Sequence, residues 1–291
     1  MADIRLARVH EHLETLKKNS IRILSTECNE DQIPVGRSKR GGRPDLPDNL
    51  TWPVVCFADS AWTQPPNLTL EQIRNELDDD IAPLTFVAQI QLSEIQAHDQ
   101  EKLLPAQGML YFFEFGPGEG ADFENIREIR VLFSPSESDL TRTEWPEELD
   151  SESRRDSKSL QFSTEWQLPT VGSHFVDIQT YKVSGLEFTI EEFELYRNAE
   201  YERRNNESTD QMLGYGYFSQ ENTLKYSYRG SFLPFVNSIK LESQYTTTID
   251  DLPEKILLLF QMDFGVHQRF FFINTKDLVE QKFERTWSGM E

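Results

Sequence analysis

A chain of 291 residues with 37% hydrophobic content, 20 Phe, 9 Tyr and 5 Trp is long enough for an aromatic-rich core in one large domain or two packed halves. A net charge of −21 repels the phosphates of nucleic acids and of anionic membranes, so neither is expected as a partner, whereas a basic protein is. Cys28 and Cys56 are too few for a disulfide framework; with no signal-peptide core after Met1 and no apolar run near the roughly 20 residues of a bilayer span, they point to the cytoplasm.

In chain order, Ile4, Val9, Leu13 and Leu16 recur at helical spacing and predict an amphipathic helix within residues 1–20. Ile21 and Ile23 alternate with polar residues as in a strand. Residues 36–53, with paired glycines and three prolines, read as a loop. Thr69-Leu70-Glu71-Gln72 opens a short helix with a capping-box pattern. From Leu84 to Leu92 the alternation is regular, with Leu84, Phe86, Ala88, Ile90 and Leu92 on one face and Thr85, Val87, Gln89 and Gln91 on the other. Met109 to Phe115 is apolar on both faces apart from Glu114, the pattern of a covered central strand. Glu128 to Phe133 predicts another strand. Residues 136–159 are polar and charged and read as an acidic connector, a long surface loop with little regular structure of its own. Beyond it come a strand from Leu160 to Leu168, a helix from about Thr189 to Arg204, an aromatic stretch punctuated by Gly214 and Gly216, strands at Ile256–Phe264 and Phe270–Ile273, and a closing helix from Thr275 to Phe283.

One pattern is written twice. Leu84–Leu92, followed by Met109–Phe113, has its counterpart in Ile256–Phe264, followed by Phe270–Ile273: an apolar strand bearing a glutamine, then an aromatic strand. The repetition predicts an α+β fold of two similar half-domains, residues 21–135 and 160–291, with mainly antiparallel sheets.

The loop Ser38-Lys39-Arg40-Gly41-Gly42-Arg43-Pro44-Asp45-Leu46-Pro47 with Trp52-Pro53, the run Phe86-Val87-Ala88-Gln89-Ile90, Leu104-Pro105 and Gly108–Phe113 together resemble the YwqG-like family of bacterial proteins of unknown function. Leu213-Gly214-Tyr215 with Gln220, Leu258–Asp263 and Phe271-Phe272-Ile273 look like the family's later motifs, so the resemblance covers about residues 20–287. Family members carry a longer stretch with Trp, Asp and Gly between the second glutamine strand and its aromatic strand, where this chain has only Gly265–Arg269. The resemblance implies a duplicated α+β fold and brings no reaction and no catalytic residues.

Three candidate sites follow from the residues. Gly41 and Gly42 between Lys39 and Arg43 offer backbone N–H groups and positive charge to an anion, or else make an obligatory turn over Trp52. Gln89 and Gln91, with Gln261 and Asp263 at the equivalent places, line a cleft between the halves, or else satisfy the backbone of covering loops. Trp145, flanked by Glu144, Glu147 and Glu148 in the acidic connector, is a partner anchor, or else pins the connector to the body. The histidines do not share a metal-ligand spacing: His10 and His12 face different ways on a helix, and His98, His174 and His267 stand apart. No metal or cofactor is expected. The Asn49, Asn67 and Asn206 acceptor patterns carry no weight without secretion, and Lys225–Arg229, the nearest approach to a nucleic-acid strip, reads equally as a sheet edge.

The expected function is a non-enzymatic cytoplasmic binding protein whose acidic surface docks a basic partner, specifically an immunity protein neutralising a bacterial toxin. The alternative is a small anionic-ligand protein or enzyme using the Gly-Gly loop. The oligomeric state is not legible.

Overall fold

Apolar strands need a partner on both edges and a cover over each apolar face, and one antiparallel sheet supplies most of the edge pairing. The computed structural model describes residues 2–56, 70–77, 81–115, 129–171, 175–205, 209–217, 256–265 and 268–290. Its ten-stranded sheet uses β1 (Lys18–Glu27), β2 (Lys39–Arg40), β3 (Thr85–Gln91), β4 (Met109–Glu114), β5 (Ile129–Ser134), β6 (Lys158–Gln167), β7 (Gln211–Leu213), β8 (Ile256–Asp263), β9 (Gln268–Asn274) and β10 (Trp287–Met290). The order is β10-β9-β8-β7-β1-β6-β2-β3-β4-β5, antiparallel throughout. The described helices are α1 (Ala2–Thr15), α2 (Leu70–Leu77), α3 (Leu92–Ile95), α4 (Ile190–Asn205) and α5 (Thr275–Val279). The mixture is α+β with a large antiparallel sheet.

The central pair is β1 with β6, joined over ten residue pairs from Lys18↔Gln167 to Glu27↔Lys158, with Leu24 opposite Gln161 near the middle. Outward from it, β1 leads to β7-β8-β9-β10 and β6 leads to β2-β3-β4-β5. Two separate sheets, one per half of the sequence, are therefore not what forms. Each half lends its first long strand to the other's arm: β1 pairs with β7, Ile21 opposite Met212, and β6 pairs with β2, Ser159 opposite Lys39.

The arms are built with matching irregularities. In β3 the register to β4 shifts between Phe86 and Ala88; in β8 the register to β9 shifts between Leu258 and Phe260. Each is an extra residue, Val87 or Leu259, two places before a glutamine that then pairs with an aromatic residue, Gln89↔Tyr111 and Gln261↔Phe270. The bulge corrects the regular alternation expected of Leu84–Leu92, because one inserted residue reverses the facing of everything beyond it. Leu84 and Phe86 join an outer cluster with Trp52, Tyr111 and Phe113, whereas Ala88, Ile90 and Leu92 join the inner core. Likewise Leu258 packs outside with Phe270, Phe272 and Trp287, while Phe260 and Met262 turn inward.

The inner core lies between the arms. Phe112 of β4 meets Phe260 of β8 at a centroid distance of 4.4 Å and Phe271 of β9 at 5.1 Å, so the sheet curls until its two arms face each other. Phe133 on the edge strand β5 contacts Phe283 just before β10 at 4.9 Å, which brings the sheet's ends together and covers an edge. A separate cluster joins α1 through Val9, α4 through Phe193 and Tyr196, and a small sheet of Val176–Asp177, Lys182–Val183 and Leu186–Glu187. Residues 136–159, expected as a long surface loop with little regular structure, include the short strand Leu140–Arg142, which pairs with Asp45–Pro47. The closing helix stops at Val279, and a 3-10 turn at Phe283–Arg285 follows. Thr69, Asn67, Asn206, Gln220, Lys225–Arg229, His174 and His267 lie outside the described residues. Among the described residues, no helix is long and apolar enough to cross a membrane.

Two glycines separate backbone strain from crowding. Gly41 has φ +63°, and a Cβ there would sit 2.2 Å from the Asp156 carbonyl oxygen; Gly265 has φ +82° and nothing within 4 Å. Gly41→Ala is expected to cost about 2–3 kcal/mol, and Gly265→Ala only the left-handed backbone penalty of about 1 kcal/mol. Urea denaturation midpoints at equal m-value measure both.

Candidate functional site

The Gly-Gly loop follows β2, a two-residue strand held between β6 and β3, with Lys39 opposite Gln89 and Arg40 opposite Ala88. Its N–H groups are already taken. Gly41 N–H donates to the Val87 carbonyl at 2.9 Å, Gly42 N–H to the Arg155 carbonyl at 2.8 Å, and Arg43 N–H to a Glu30 carboxylate oxygen. Lys39 is fully buried, its Nζ 3.0 Å from Asp45 Oδ1. The Arg43 side chain pairs with Glu30 at 2.8 Å and with Glu144. The donors an anion would use are thus turned onto the protein itself. A Cβ on Gly42 would lie 2.4 Å from Glu30 Oε1, so close packing as well as positive φ calls for glycine here.

Asp45 is the hub beneath this loop. Its Oδ1 accepts from Lys39 Nζ and from Arg142 Nε at 2.9 Å; its Oδ2 accepts from Gly36 N–H at 2.9 Å and Gln89 Nε2 at 2.8 Å. Its N–H donates to Gln89 Oε1 at 2.7 Å, and its carbonyl accepts the Tyr111 hydroxyl at 2.7 Å. Burial pushes the Asp45 carboxyl up, but Arg142, Lys39 and the Gly36 N–H outweigh it and hold its pKa below the ordinary value. Burial pushes Lys39 down and Tyr111 up.

Gln261 takes the corresponding place in the other arm, its Oε1 accepting the Tyr217 N–H at 3.0 Å, as Gln89 accepts that of Asp45. Both glutamines face outward on their arms, opposite Tyr111 and Phe270 of the outer clusters, while Phe112, Phe260 and Phe271 fill the space between the arms. Gln89 and Gln261 therefore do not meet in one cleft. Gln91 donates to Glu137 at 2.9 Å beside the shallow open depressions near Ser136 and His98. Asp263 lies elsewhere: its N–H donates to Asp210 Oδ1 at 2.7 Å, its carbonyl accepts from Arg40 Nη2 at 2.7 Å, and its Oδ1 accepts the Gly265 N–H at 2.6 Å.

A second buried charge cluster is one the motif reading did not nominate. Glu114, fully buried at the end of β4, accepts from Arg269 Nε of β9 at 2.8 Å and from Arg155 of the connector, tying together both arms and the segment that links them. Arg40 pairs with Asp210 at 3.1 Å. The guanidinium carbons of Arg155 and Arg40 lie 4.1 and 4.9 Å from the Phe264 ring centroid. Burial raises Glu114, but the two arginines outweigh it and its pKa is lowered; burial raises Asp210 above the ordinary range despite the Asp263 N–H and Arg40. The signal was present in the sequence, since Glu114 is the single charge in the run Met109–Phe115. Its partners, 41 and 155 positions away, carry no local mark.

In the connector, Trp145 is half-buried against the cluster of Leu46, Trp52 and Leu149, with Arg43 and Arg154 over its ring at 5.6 and 5.7 Å. That is the geometry of a pin. Glu144, Glu147 and Glu148 beside it are exposed, Glu144 paired with Arg43. Among the described residues, no group of three or more His, Cys, Asp or Glu side chains is placed to hold a metal.

Residues 38–291 match the model of a family described as a domain of unknown function, DUF1963. No curated protein matches the chain.

Glu114→Gln leaves two arginines facing an uncharged group and is expected to cost about 3 kcal/mol at neutral pH. Because the folded pKa of Glu114 lies below its ordinary 4.5, its contribution is fully present above that value and is lost as pH falls through the folded one. The gap between wild type and Glu114→Gln should therefore narrow in acid, as denaturation midpoints across a pH series would show. Trp145→Ala should cost about 2 kcal/mol through lost packing, read as a lower melting temperature; an unchanged one would mean that Trp145 does not pin the connector.

Proposed function

The chain belongs to the DUF1963 family, and we propose that it is a non-enzymatic binding protein whose acidic surface docks a basic protein partner. The observation that carries this reading is where the positive charge goes. Of 29 basic residues against 50 acidic ones, Arg22, Lys39, Arg40, Arg142, Arg155 and Arg269 are turned inward, between 0% and 21% exposed, in ion pairs. The surface keeps Glu147, Glu148, Asp150, Glu152 and Asp156 exposed along one segment. Such a surface speeds the encounter with a basic partner and repels polyanions.

The specific form of the reading is a cytoplasmic immunity protein that neutralises a bacterial toxin, a task needing shape and charge but no reacting group. The likeness of the Ser38–Trp52 loop and the glutamine strands to YwqG-like proteins belongs to the same proposal. So does descent of the two arms from one duplicated unit. Support for duplication comes from the paired bulges, from Gln89 and Gln261 each accepting an N–H 44 positions earlier, and from the consecutive positive-φ pairs Gly41–Gly42, just after β2, and Leu213–Gly214, at the end of β7. An anion site at the Gly-Gly loop is the weaker reading, since its N–H groups and Lys39 bind within the fold.

Co-expression with a toxin encoded beside this gene is the test. Rescue of growth is expected, and the combined Glu147→Gln and Glu148→Gln change should slow association with the toxin by about 10-fold at low salt while leaving melting unchanged. Unchanged killing by the toxin in cells making the wild-type chain would rule out the immunity role.

A further inference from the structure

β6 is paired over ten residues with β1 on one side and over only two with β2 on the other. The ladder with β1 is antiparallel, and just past it the Cys28 N–H donates to the Ser157 carbonyl. Alternate residues of such a strand bond to the same neighbour, so Ser159, Gln161, Ser163 and Glu165 turn their N–H and C=O groups toward β1. Lys158, Leu160, Phe162, Thr164 and Trp166 turn theirs to the opposite edge. There Lys158 meets Arg40, and the pairing stops at Ser159 with Lys39. Among the described residues, no strand continues beside Leu160, Phe162, Thr164 and Trp166.

β2 parts from β6 because the residues before it bond to the neighbouring arm. Ser38 N–H donates to Glu94 Oε2 at 3.2 Å, its hydroxyl accepts the Gln91 N–H at 2.8 Å, and the Arg37 carbonyl accepts from Gln89 Nε2 at 2.8 Å. An open depression of about 470 Å³ lies in the gap, with Leu160–Phe162 on one wall and Arg37, Glu94 and His98 on the other. His98 Nδ1, 3.0 Å from Thr164 Oγ1, closes its inner side.

The bare edge runs from Leu160 to Trp166, roughly 20 Å at the rise of a strand. A chain laid along it would set alternate side chains against two different surfaces. On the inner face stand Phe162, packed against the core, and Trp166, 51% exposed; on the outer face stand Gln161 and Ser163, both exposed. Because β2, β3, β4 and β5 carry the sheet onward on this same side, the edge is a slot within the sheet and not its end. A second copy's folded sheet has no approach to such a slot, whereas a single extended chain does. A row of unpaired N–H and C=O groups is a template for that chain. The net charge of −21 favours a basic one.

We propose that the β6 edge from Leu160 to Trp166 is the docking site for an extended basic segment of a partner protein, which adds to the sheet as a strand with Trp166 as its aromatic anchor. The proposal rests on the basic-partner reading above and gives that partner a place to bind. Backbone hydrogen bonds along the edge supply affinity, and alternate side chains against Phe162 and Trp166 supply selectivity.

Residue-resolved amide hydrogen exchange on the full chain is the test, with a synthetic peptide of alternating Val and Lys, about seven residues long to match the edge, as the probe. In the free chain the amides of Leu160, Phe162, Thr164 and Trp166 should exchange faster than those of Gln161 and Ser163, and saturating peptide should slow those four. The same peptide methylated on two adjacent central amides, so that neither of its edges can pair, should lose binding. Trp166→Ala should weaken binding several-fold with little change in melting temperature. Slow exchange of the four amides in the free chain, absence of saturable binding, or binding that leaves the four unprotected or survives methylation overturns the proposal. Equal binding of a Val–Glu peptide, with the same four amides protected, would keep the edge and overturn the basic-partner reading instead.

Discussion

The pairing of β1 with β6 is the constraint on which the remaining architecture rests. Ten residue pairs in one antiparallel ladder set the angle and register of everything attached on either side. Because β1 continues into β7 and β6 into β2, neither arm can shift in register without disturbing the other. The curl of the sheet then brings Phe112 against Phe260 and Phe271, so the arms share one core. A slip of one residue in the central ladder would reverse the facing of Ile21 and Ile23, both fully buried.

Charge is used in two ways in the same molecule. Inside, Asp45 and Glu114 each gather two basic groups, one beneath the Gly-Gly loop and the other between the arms. Buried ion pairs add little net stability compared with apolar packing, but breaking one is costly, so they favour one arrangement over near alternatives. The other arm shows a contrast: Gln211 stands opposite Gln261 as Lys39 stands opposite Gln89, and its side chain bonds to the neutral Gln167 amide and to the Leu213 and Tyr215 carbonyls rather than to a buried carboxylate. Outside, Glu147, Asp150, Glu152 and Asp156 are exposed along one segment.

Much of this was legible in the chain. The repeated glutamine and aromatic strands, the covered strand at Met109–Glu114 and the helix at Ile190–Asn205 all have periodicities that short windows reveal. The bulges at Val87 and Leu259 were not legible, because a regular alternation such as Leu84–Leu92 looks the same whether or not one residue is extruded. Nor was the exchange of first strands, since pairing between β1 and β7 leaves no trace within either segment. For the candidate sites, the glycines and glutamines were found, but their hydrogen-bond partners lie in other segments. Glu30 and Arg142, which close the network around Lys39, carry no local mark in the sequence.

The exchange of first strands also has a consequence for synthesis. Both neighbours of β1 are encoded far downstream, β6 starting about 140 residues later and β7 later still. At ribosomal speeds of roughly 5–20 residues per second, β1 waits on the order of 10 s with two open edges before either partner emerges. The nascent first half is thus an incomplete sheet whose apolar face on Ile21 and Ile23 has no cover. A ribosome that stalls in the stretch ahead of β6 would release a product unable to finish folding, and the burden on chaperones falls in that interval.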